Sequence, residues 1–400
     1  MSLTESDLRA GIKKLFEPKR SEAPGAVGAE LELIPVDASS SSRILASPPK
    51  KSRTVGVLHA LSEARSWTER AYEGDPPSWT LPDGACISFE PGGQIEISSA
   101  PHPTASATIS SVSDLVTGIA NAMSAEGMEL LTNGVDPYNT IDSVPLQLHR
   151  ERYSEMTRYF DALSPSGIQM MRQTAALQIN VERGEDPVHG WRLLNALAPF
   201  VLALFANSSS YAGRDTGWQS YRSYFWRTLD PSRTGLAAPD GDPADGYFEF
   251  AMEAFAMRGG VDGKAYRSFR DTCRNSDIDE TDWQFHLSTL FPEVRAKEHF
   301  ELRSADTIAI DDLAAPIVFV TSIIYDPESA DAATSILPLP TLALLERAGR
   351  EGIRDAEIRK LCAELATLSV EGAHRLGQQY ITDEHLEIAR NYFERKLGLD

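Results

Sequence analysis

Four short stretches of the sequence each place two polar side chains two positions apart, with an apolar residue close by. The pairs are Glu30 and Glu32, Gln94 and Glu96, Gln178 and Asn180, and Glu301 and Arg303. In a β-strand, residues i and i+2 point to the same face, so each pair is predicted to share one face of a sheet. The pairs are dominated by carboxylates and amides, whereas a solvated sheet face more often carries Lys, Thr and Ser.

Carboxylates gathered on one face repel one another, and the repulsion grows as water is excluded. Hard divalent cations, which prefer oxygen ligands, are the natural partners of such a face. Mg²⁺ keeps several waters and shares its coordination with phosphates, which favours a magnesium–nucleotide site over an all-protein calcium cage. Metal-bound carboxylates facing a phosphate suit phosphoryl transfer. The alternative interpretation is an ordinary sheet with one solvated face.

An arginine-rich segment is the candidate complement to these acids. Residues 221–235 read YRSYFWRTLDPSRTG and carry three arginines among aromatic residues. Arginine forks bind carboxylates and phosphates through two parallel hydrogen bonds, so the segment is predicted to bind anions. The alternative is that these arginines pair with acids on the surface. The sequence contains no GxxxxGK[ST] motif and no Rossmann glycine fingerprint, which argues against a P-loop fold.

The elements that must position these residues follow from periodicity. Strands are predicted at 27–36, 94–98, 174–182 and 299–303, and Glu90-Pro-Gly-Gly is predicted to form a tight turn. Helices are predicted at 4–17, 55–65, 103–126, 151–163 and 191–208, and the C-terminal third from residue 313 is predicted to be mostly helical. Residues 38–51 are rich in Ser and Pro, which predicts a loop that can be mobile.

Composition limits the class of protein. The chain has 400 residues, is 42% hydrophobic and has a formal net charge of −20. We expect one composite catalytic domain, with a sheet-bearing part at 1–310 and a helical part at 311–400. So acidic a chain is unsuited to nucleic acid or to anionic membranes. Three scattered cysteines, no signal sequence and no membrane-length apolar run predict a cytoplasmic protein in a reducing compartment, as a monomer or homodimer.

Three longer segments carry a family resemblance. They read FEPGGQIEISSAPHPT from residue 89, YRSYFWRTLDPSRTG from residue 221 and FPEVRAKEHFELRSADT from residue 291. With VGAELELIP from residue 27, they resemble, in the same order, the signature segments of plant-type glutamate–cysteine ligases. The resemblance spans roughly 27–307. It implies an α+β fold like the glutamine synthetase catalytic sheet, with a curled antiparallel sheet forming a funnel, helices outside it and a helical C-terminal third.

The same resemblance implies an activity and a set of site residues. ATP and Mg²⁺ would be used to phosphorylate the γ-carboxylate of glutamate, and the amine of L-cysteine would displace phosphate to give γ-glutamylcysteine, a precursor of thiols such as glutathione. Metal ligands are implied at Glu30, Glu32, Glu90, Glu96 and Glu301. Nucleotide-binding roles are implied for Gln178, Asn180 and Arg303, and substrate-binding roles for Gln94, Arg222, Trp226 and Arg233. The implied catalytic residues are Glu96, Glu301 and Arg303.

Two alternatives to cysteine ligation stay open on the sequence. One is a γ-glutamyl ligase with a different amine acceptor, and the other is a non-catalytic protein that binds a nucleotide or an amino acid on the same scaffold. The number of carboxylates argues against the second, because a binding protein does not need so many acids near phosphate. Cys86, Cys273 and Cys362 are interpreted as inert packing residues.

Overall fold

An 11-residue strand, Val27–Asp37 (β1), lies at the centre of the sheet that carries the polar pairs. Ala29, Leu31 and Leu33 alternate along it and are buried, so one face of the strand belongs to the hydrophobic core. β1 pairs antiparallel with Ile95–Ser98 on one side and with Ala176–Val181 on the other. The period-two pattern therefore corresponds to a real division between an apolar face and a polar face.

The computed structural model describes residues 2–20, 24–237, 240–258 and 266–398. The strands in chain order are Val27–Asp37 (β1), Thr68–Arg70 (β2), Ser78–Thr80 (β3), Cys86–Phe89 (β4), Ile95–Ser98 (β5), Met128–Leu131 (β6), Ala176–Val181 (β7), Ser210–Tyr211 (β8), Arg214–Asp215 (β9), Thr234–Gly235 (β10), Phe291–Pro292 (β11), Val294–Ala296 (β12) and Phe300–Asp306 (β13). Within the described ranges, nine strands form one antiparallel sheet in the order β12–β13–β7–β1–β5–β4–β3–β2, with β6 paired to β1.

Helices surround the sheet and account for most of the remaining chain. Those before residue 310 are Glu5–Lys14 (α1), Arg53–Arg65 (α2), Ala105–Ala125 (α3), Glu151–Leu163 (α4), Pro165–Gln173 (α5), Pro187–Leu204 (α6), Tyr221–Leu229 (α7), Pro243–Glu253 (α8), Phe269–Asn275 (α9) and Glu280–Ser288 (α10). The C-terminal third contains Ala314–Tyr325 (α11), Pro327–Ile336 (α12), Leu342–Glu351 (α13), Ala356–Leu376 (α14) and Asp383–Leu397 (α15).

Helix α11 ties the C-terminal helices to the rest of the molecule. It is apolar around most of its circumference, and the residues from Ala314 to Ile323 are buried. A helix of this kind must be enclosed on all sides, and α11 packs against α3, α6, α14 and α15. One cluster of buried apolar residues consequently extends from Leu8 in α1 to Leu397 in α15.

The predicted architecture, an antiparallel sheet with helices around it and a helical C-terminal third, is confirmed. The predicted helices and strands are present with shifted ends, and Thr4 caps α1 through a reciprocal capping box with Asp7. Helix α5 and the short strands β2 and β3 were not predicted, because elements of this length carry too little periodicity. In the described part of the chain, every helix is too short or too polar to cross a membrane.

Candidate functional site

The strand register brings the four polar pairs onto one face of the sheet. Residues directly opposite in an antiparallel pair point to the same side. Glu32 lies opposite Glu96, and Glu30 lies opposite both Ser98 and Gln178. On the next strand, Glu301 lies opposite Asn180. The polar side chains therefore form a continuous row across β13, β7, β1 and β5.

A cavity of about 380 Å³ opens onto this row. Eight of the residues predicted for the site line it: Glu30, Glu32, Glu90, Gln94, Glu96, Gln178, Trp226 and Arg303. Four others do not line it: Asn180, Glu301, Arg222 and Arg233. The tight turn that follows β4 brings Glu90 to the cavity, and α7 brings Trp226.

Three carboxylates, Glu32, Glu90 and Glu96, form what we call the acidic end of the face. Burial first, and then the charge of Glu96, raises the pKa of Glu32 to about 7. Burial and the charge of Glu32 raise the pKa of Glu90 to about 7. Burial and the charge of Glu90 raise the pKa of Glu96 well above its usual range, although Ser88 Oγ donates a hydrogen bond to Glu96 Oε1 at 3.1 Å. The acidic end therefore favours binding of a cation.

The acidic end fits a Mg²⁺ ion that is shared with phosphates and waters, but not one that is held by protein carboxylates alone. Across residues 2–20, 24–237, 240–258 and 266–398, no three His, Cys, Asp or Glu side chains converge closely enough to hold an ion by themselves. The five predicted carboxylate ligands thus do not form one cage. Magnesium in phosphate-transfer sites is usually held by one or two carboxylates together with phosphate oxygens and waters. Glu32 and Glu96, directly opposite each other on the cavity wall, suit that manner of binding.

The second half of the row is the cationic end, which contains Arg295, Lys297, Arg303 and the carboxylate of Glu301. Glu301 is fully buried, contacts Arg303 Nη1, and lies 2.5 Å from Lys297 Nζ and 3.8 Å from Arg295 Nη1. Burial alone would raise the pKa of Glu301, but the charges of Arg303, Arg295 and Lys297 outweigh it and hold the pKa far below its usual range.

The surroundings of Glu301 argue against its predicted roles as a metal ligand and as a catalytic residue, which stay predictions. Its carboxylate is already neutralised by three cations and lies outside the cavity wall. It holds the guanidinium groups that do line the cavity. Arg303 Nη1 also donates to Gln178 Oε1 at 2.6 Å, while Gln178 Nε2 donates to Glu32 Oε1 at 3.4 Å. Gln178 thus joins the two ends of the row.

Asn180 lies beside the cavity rather than in its wall. Its Nδ2 donates to Glu30 Oε1 at 3.2 Å, and Lys297 Nζ lies 3.7 Å from the same oxygen. Asn180 Oδ1 is buried and has no hydrogen-bond partner among the described residues. The amide consequently orients Glu30 toward the cationic end.

Arg222 takes a buried position that does not suit the predicted contact with substrate. Its Nη2 donates to the carbonyl of Arg303 at 2.5 Å, its Nη1 donates to the carbonyl of Ser304 at 3.4 Å, and Asp306 lies 3.6 Å away. The pairing of β13 with β7 shifts register between residues 302 and 305. Arg222 therefore stabilises an irregularity that aims Arg303, and its guanidinium also stacks 4.6 Å from the ring of Trp226.

The surroundings of Arg233 argue in a similar way against its predicted substrate-binding role, which stays a prediction. Arg233 is fully buried, and its Nε donates to Asp230 Oδ2 at 2.7 Å. Its terminal nitrogens donate to the carbonyls of Thr289 at 3.0 Å and Phe255 at 2.5 Å. Every nitrogen of the guanidinium has a partner within the protein, so the residue fixes loops together.

Several residues that sequence reasoning missed also line the cavity, namely Arg150, Arg152, Tyr153 and Arg295. Arg295 lies within FPEVR, so the motif itself was the available signal. Arg152 is the second residue of α4 and gives no periodic signal. Burial, followed by the charge of Glu90, raises the pKa of Tyr153 to about 12.

A second cavity, of about 560 Å³, adjoins the first. Arg152 and Arg295 line both cavities. Helices α1 and α10 supply an apolar wall to the second cavity, which includes Leu8, Ile12 and Trp283. The two arginines therefore lie between the first cavity, which is polar, and the second cavity, which has an apolar wall and a cationic edge.

Comparisons with known proteins show the family of the chain. Residues 26–385 match the family model described as glutamate-cysteine ligase family 2 (GCS2). The chloroplastic glutamate–cysteine ligase of Brassica juncea is 28% identical over 358 residues, which are 84% of this chain and 69% of that protein. The glutamate–cysteine ligase EgtA of Mycobacterium tuberculosis is 31% identical over 301 residues, which are 70% of this chain and 68% of that protein.

Among solved structures, a glutamate–cysteine ligase from Francisella tularensis in complex with AMP covers 95% of this chain and 90% of its own, with a TM-score of 0.49 and 11% identity. The family match includes β1, the turn at Glu90, the arginine segment and β13, which are the elements that build the first cavity. The chain therefore belongs to glutamate–cysteine ligase family 2, and it is a ligase.

Proposed function

We propose that this protein joins the γ-carboxylate of glutamate to the amine of L-cysteine through a γ-glutamyl phosphate, using ATP and Mg²⁺. The observation that carries the proposal is the composition of one cavity, whose wall has Glu32 opposite Glu96 and, beside them, the guanidinium groups of Arg303 and Arg152. Acids that hold a metal at phosphates and arginines that bind anionic groups are the two requirements of phosphoryl transfer to a carboxylate.

In this proposal Glu32 and Glu96, with Glu90 beside them, would hold Mg²⁺ together with phosphate oxygens and waters, and the ion would neutralise charge on the phosphates. Arg303 is held by Glu301 and Gln178, so its free donors can orient the phosphoryl group without reorganising. Gln94 is buried in the cavity wall and its Oε1 has no partner among the described residues, so it can accept a hydrogen bond from a substrate ammonium group.

In the proposed reaction, the bonds change in two steps. The γ-carboxylate oxygen of glutamate attacks the γ-phosphorus of ATP, and ADP leaves. The amine of the acceptor then attacks the acyl carbon, and phosphate leaves. The protein's residues bind and orient the reactants and exclude water, which would otherwise hydrolyse the acyl phosphate.

The second cavity is our candidate site for the nucleoside of ATP. The first cavity lies near the lower end of the roughly 300–1,000 Å³ that hold one drug-sized ligand, so it is too small for glutamate, an amine and a nucleotide together. The second cavity offers Trp283 and Leu8 to a base, with Lys297 and Arg295 at the side that faces the phosphates. Gln178, Asn180 and Arg303 would then lie along the path of the phosphates.

L-cysteine is the proposed acceptor because curated relatives of this chain are named as glutamate–cysteine ligases. The rim of the first cavity, at Tyr72, Pro76 and Cys86, is where we expect the acceptor to enter. A different amine acceptor remains the second hypothesis, and it uses the same acyl phosphate.

Hydroxylamine trapping tests the reaction independently of the acceptor. With ATP, Mg²⁺, glutamate and hydroxylamine but no cysteine, the protein should form γ-glutamyl hydroxamate. ADP and phosphate should appear in equal amounts, without AMP or pyrophosphate. A panel of amino acids and amines in place of hydroxylamine then identifies the acceptor by ADP release.

Two outcomes would count against the proposal. Formation of AMP and pyrophosphate would indicate an acyl adenylate instead of an acyl phosphate. If neither hydroxamate nor amine-dependent ADP release is detected, the protein does not ligate glutamate, and the site must carry out a different reaction.

A further inference from the structure

Arg43 connects three parts of the chain that surround the first cavity without lining it. It follows β1 in the segment 38–51, where its backbone pairs with Val36. Its side chain is 1% exposed, and Nη1 donates to Asp136 Oδ2 at 2.8 Å. Its Nη2 donates to the carbonyls of Gly92 and Arg172, both at 3.2 Å. The segment predicted to be a loop that can be mobile therefore contributes a fixed, buried cation.

The two carbonyls belong to different walls of the cavity. Gly92 is in the turn that presents Glu90 and Gln94, and Arg172 is in the last turn of α5, which is followed by Thr174. The walls touch closely, since a Cβ on Gly92 would lie 2.0 Å from the Arg172 carbonyl oxygen. Gln94 Nε2 donates across the same boundary to the carbonyl of Thr174 at 2.8 Å.

A second side chain holds the same turn from the opposite side. Gln147 Nε2 donates to the Gly92 carbonyl at 2.6 Å, and the Gln147 backbone N–H donates to the Pro91 carbonyl at 2.8 Å. Gln147 Oε1 accepts from the backbone N–H groups of Ala46 and Ser47, which returns the connection to the segment that carries Arg43. The turn is thus enclosed by donors from both sides.

Stability alone is a weak reason to bury such a pair. A buried ion pair loses much of its Coulombic gain to desolvation, and an apolar replacement of similar volume is often as stable. A planar fork that binds one carboxylate and two carbonyls, however, fixes their relative positions in a way that an apolar side chain cannot.

From this geometry we propose that Arg43 is a positioning residue for the ligase reaction, acting by setting the separation of the Glu90 turn from the end of α5. The inference rests on the proposed function, because it concerns the alignment of the cavity in which that reaction occurs. A displacement of about 1 Å in such a site can cost on the order of 10²-fold in rate.

Arg43→Lys is the main test, because it keeps the charge opposite Asp136 and loses the fork. We expect kcat to fall about 10- to 100-fold at a temperature well below the Tm of the variant, with KM for ATP changed less than threefold. Arg53→Lys is the matched control. Arg53 also binds an aspartate, Asp37 at 2.8 Å, and a backbone carbonyl, that of Glu126, but its side chain is 45% exposed and lies outside the cavity wall.

Chemical rescue separates positioning from a general loss of structure. In Arg43→Ala, added guanidinium at millimolar concentration should restore part of kcat, whereas methylammonium at the same concentration should not. A variant that regains activity equally with both cations would show that charge, and not the fork, is what the site requires, and would overturn the proposal.

Other outcomes are equally decisive. A wild-type kcat in Arg43→Lys would overturn the role of Arg43 while leaving the proposed function intact, whereas absence of ligase turnover in the wild type would overturn the proposed function itself.

If the Arg43 variants do not fold, Gln147→Leu removes the other donor to the Gly92 carbonyl without leaving a buried charge. Its kcat should also fall at least tenfold, and an unchanged kcat would contradict the inference.

Discussion

The two ends of the polar sheet face both carry glutamates, but these glutamates are in opposite electrostatic states. At the acidic end, burial and mutual repulsion raise the pKa of Glu32 and of its neighbours. At the cationic end, Glu301 is even more deeply buried, yet Arg303, Arg295 and Lys297 hold its pKa low. The acidic end therefore favours a cation from outside the protein. At the cationic end, Glu301 is neutralised internally, and the arginines offer their remaining donors to an anion.

The comparison shows why a carboxylate on the right face is not by itself a metal ligand. Glu96 and Glu301 both belong to the row of polar residues across the sheet. What distinguishes them is whether a neighbouring turn supplies cations. The connection between β12 and β13 brings Lys297 to Glu301, whereas no Lys or Arg among the described residues lies within 4.0 Å of the Glu96 carboxylate.

Removal of charge at the acidic end should have the largest effect. Glu96→Gln keeps the volume and loses the charge, so turnover should fall by several orders of magnitude while the fold is retained. Glu129→Gln, on the exposed face of β6, is the control and should be near wild type. Steady-state ADP release measures both, and near-normal turnover in Glu96→Gln would remove Glu96 from the metal site.

The same substitution at the cationic end should act mainly on stability. Glu301→Gln leaves Arg303, Arg295 and Lys297 facing one another in a buried region, so the free energy of unfolding should fall by about 3 kcal/mol. Denaturant unfolding in the absence of ligands measures the change. The prediction fails if Glu301→Gln is as stable as the wild type.

The pH dependence of stability sharpens the contrast. Glu32 has a pKa of about 7 in the folded state, above its ordinary value near 4.5, so the folded state binds more protons between these values. The contribution of Glu32 to the free energy of unfolding of the metal-free protein should therefore be greatest below about pH 4.5. It should fall by about 3 kcal/mol as the pH rises through 7. Unfolding in EDTA between pH 5 and 8 should show this slope, and Glu32→Gln should reduce it; an unchanged slope in the variant would refute the assignment.

Filling the second cavity should have the smallest effect and should be confined to the nucleotide. A Cβ on Gly11 would meet nothing closer than Trp283 Nε1 at 4.0 Å, so Gly11→Leu extends into open space. We expect KM for ATP to rise about tenfold with KM for glutamate unchanged. Gly56→Leu, in the exposed part of α2 with open space around it, is the matched control. A rise in KM for glutamate instead would place the nucleoside elsewhere.

Local periodicity predicted the parts of the site that depend on one strand at a time. The alternation of Glu30 with Leu31, and of Glu96 with Ile97, is sufficient to assign faces, and the antiparallel sheet then brings those faces together. Pattern alone could not predict which charges are paired, because two of the three partners of Glu301, Arg295 and Lys297, come from a neighbouring strand and turn.

Long-range contacts explain the remaining differences. Arg222 and Arg233 were predicted to bind substrate from their composition and resemblance, but the carbonyls that they bind lie 22 to 82 positions away in the sequence. Arg43 gave no signal, since its partner Asp136 is 93 positions away in sequence. Such contacts are set by tertiary packing, which local sequence does not encode.

Binding of Mn²⁺ in place of Mg²⁺ tests the central claim most directly. In the presence of glutamate and a non-hydrolysable ATP analogue, electron paramagnetic resonance should detect protein-bound Mn²⁺ in the wild type. The account predicts that Glu96→Gln weakens this binding at least tenfold and that Glu301→Gln, at a temperature where it is folded, weakens it less than threefold. Equal weakening by both substitutions, or loss in Glu301→Gln alone, would contradict the division of the sheet face into an acidic end that holds the metal and a cationic end that does not.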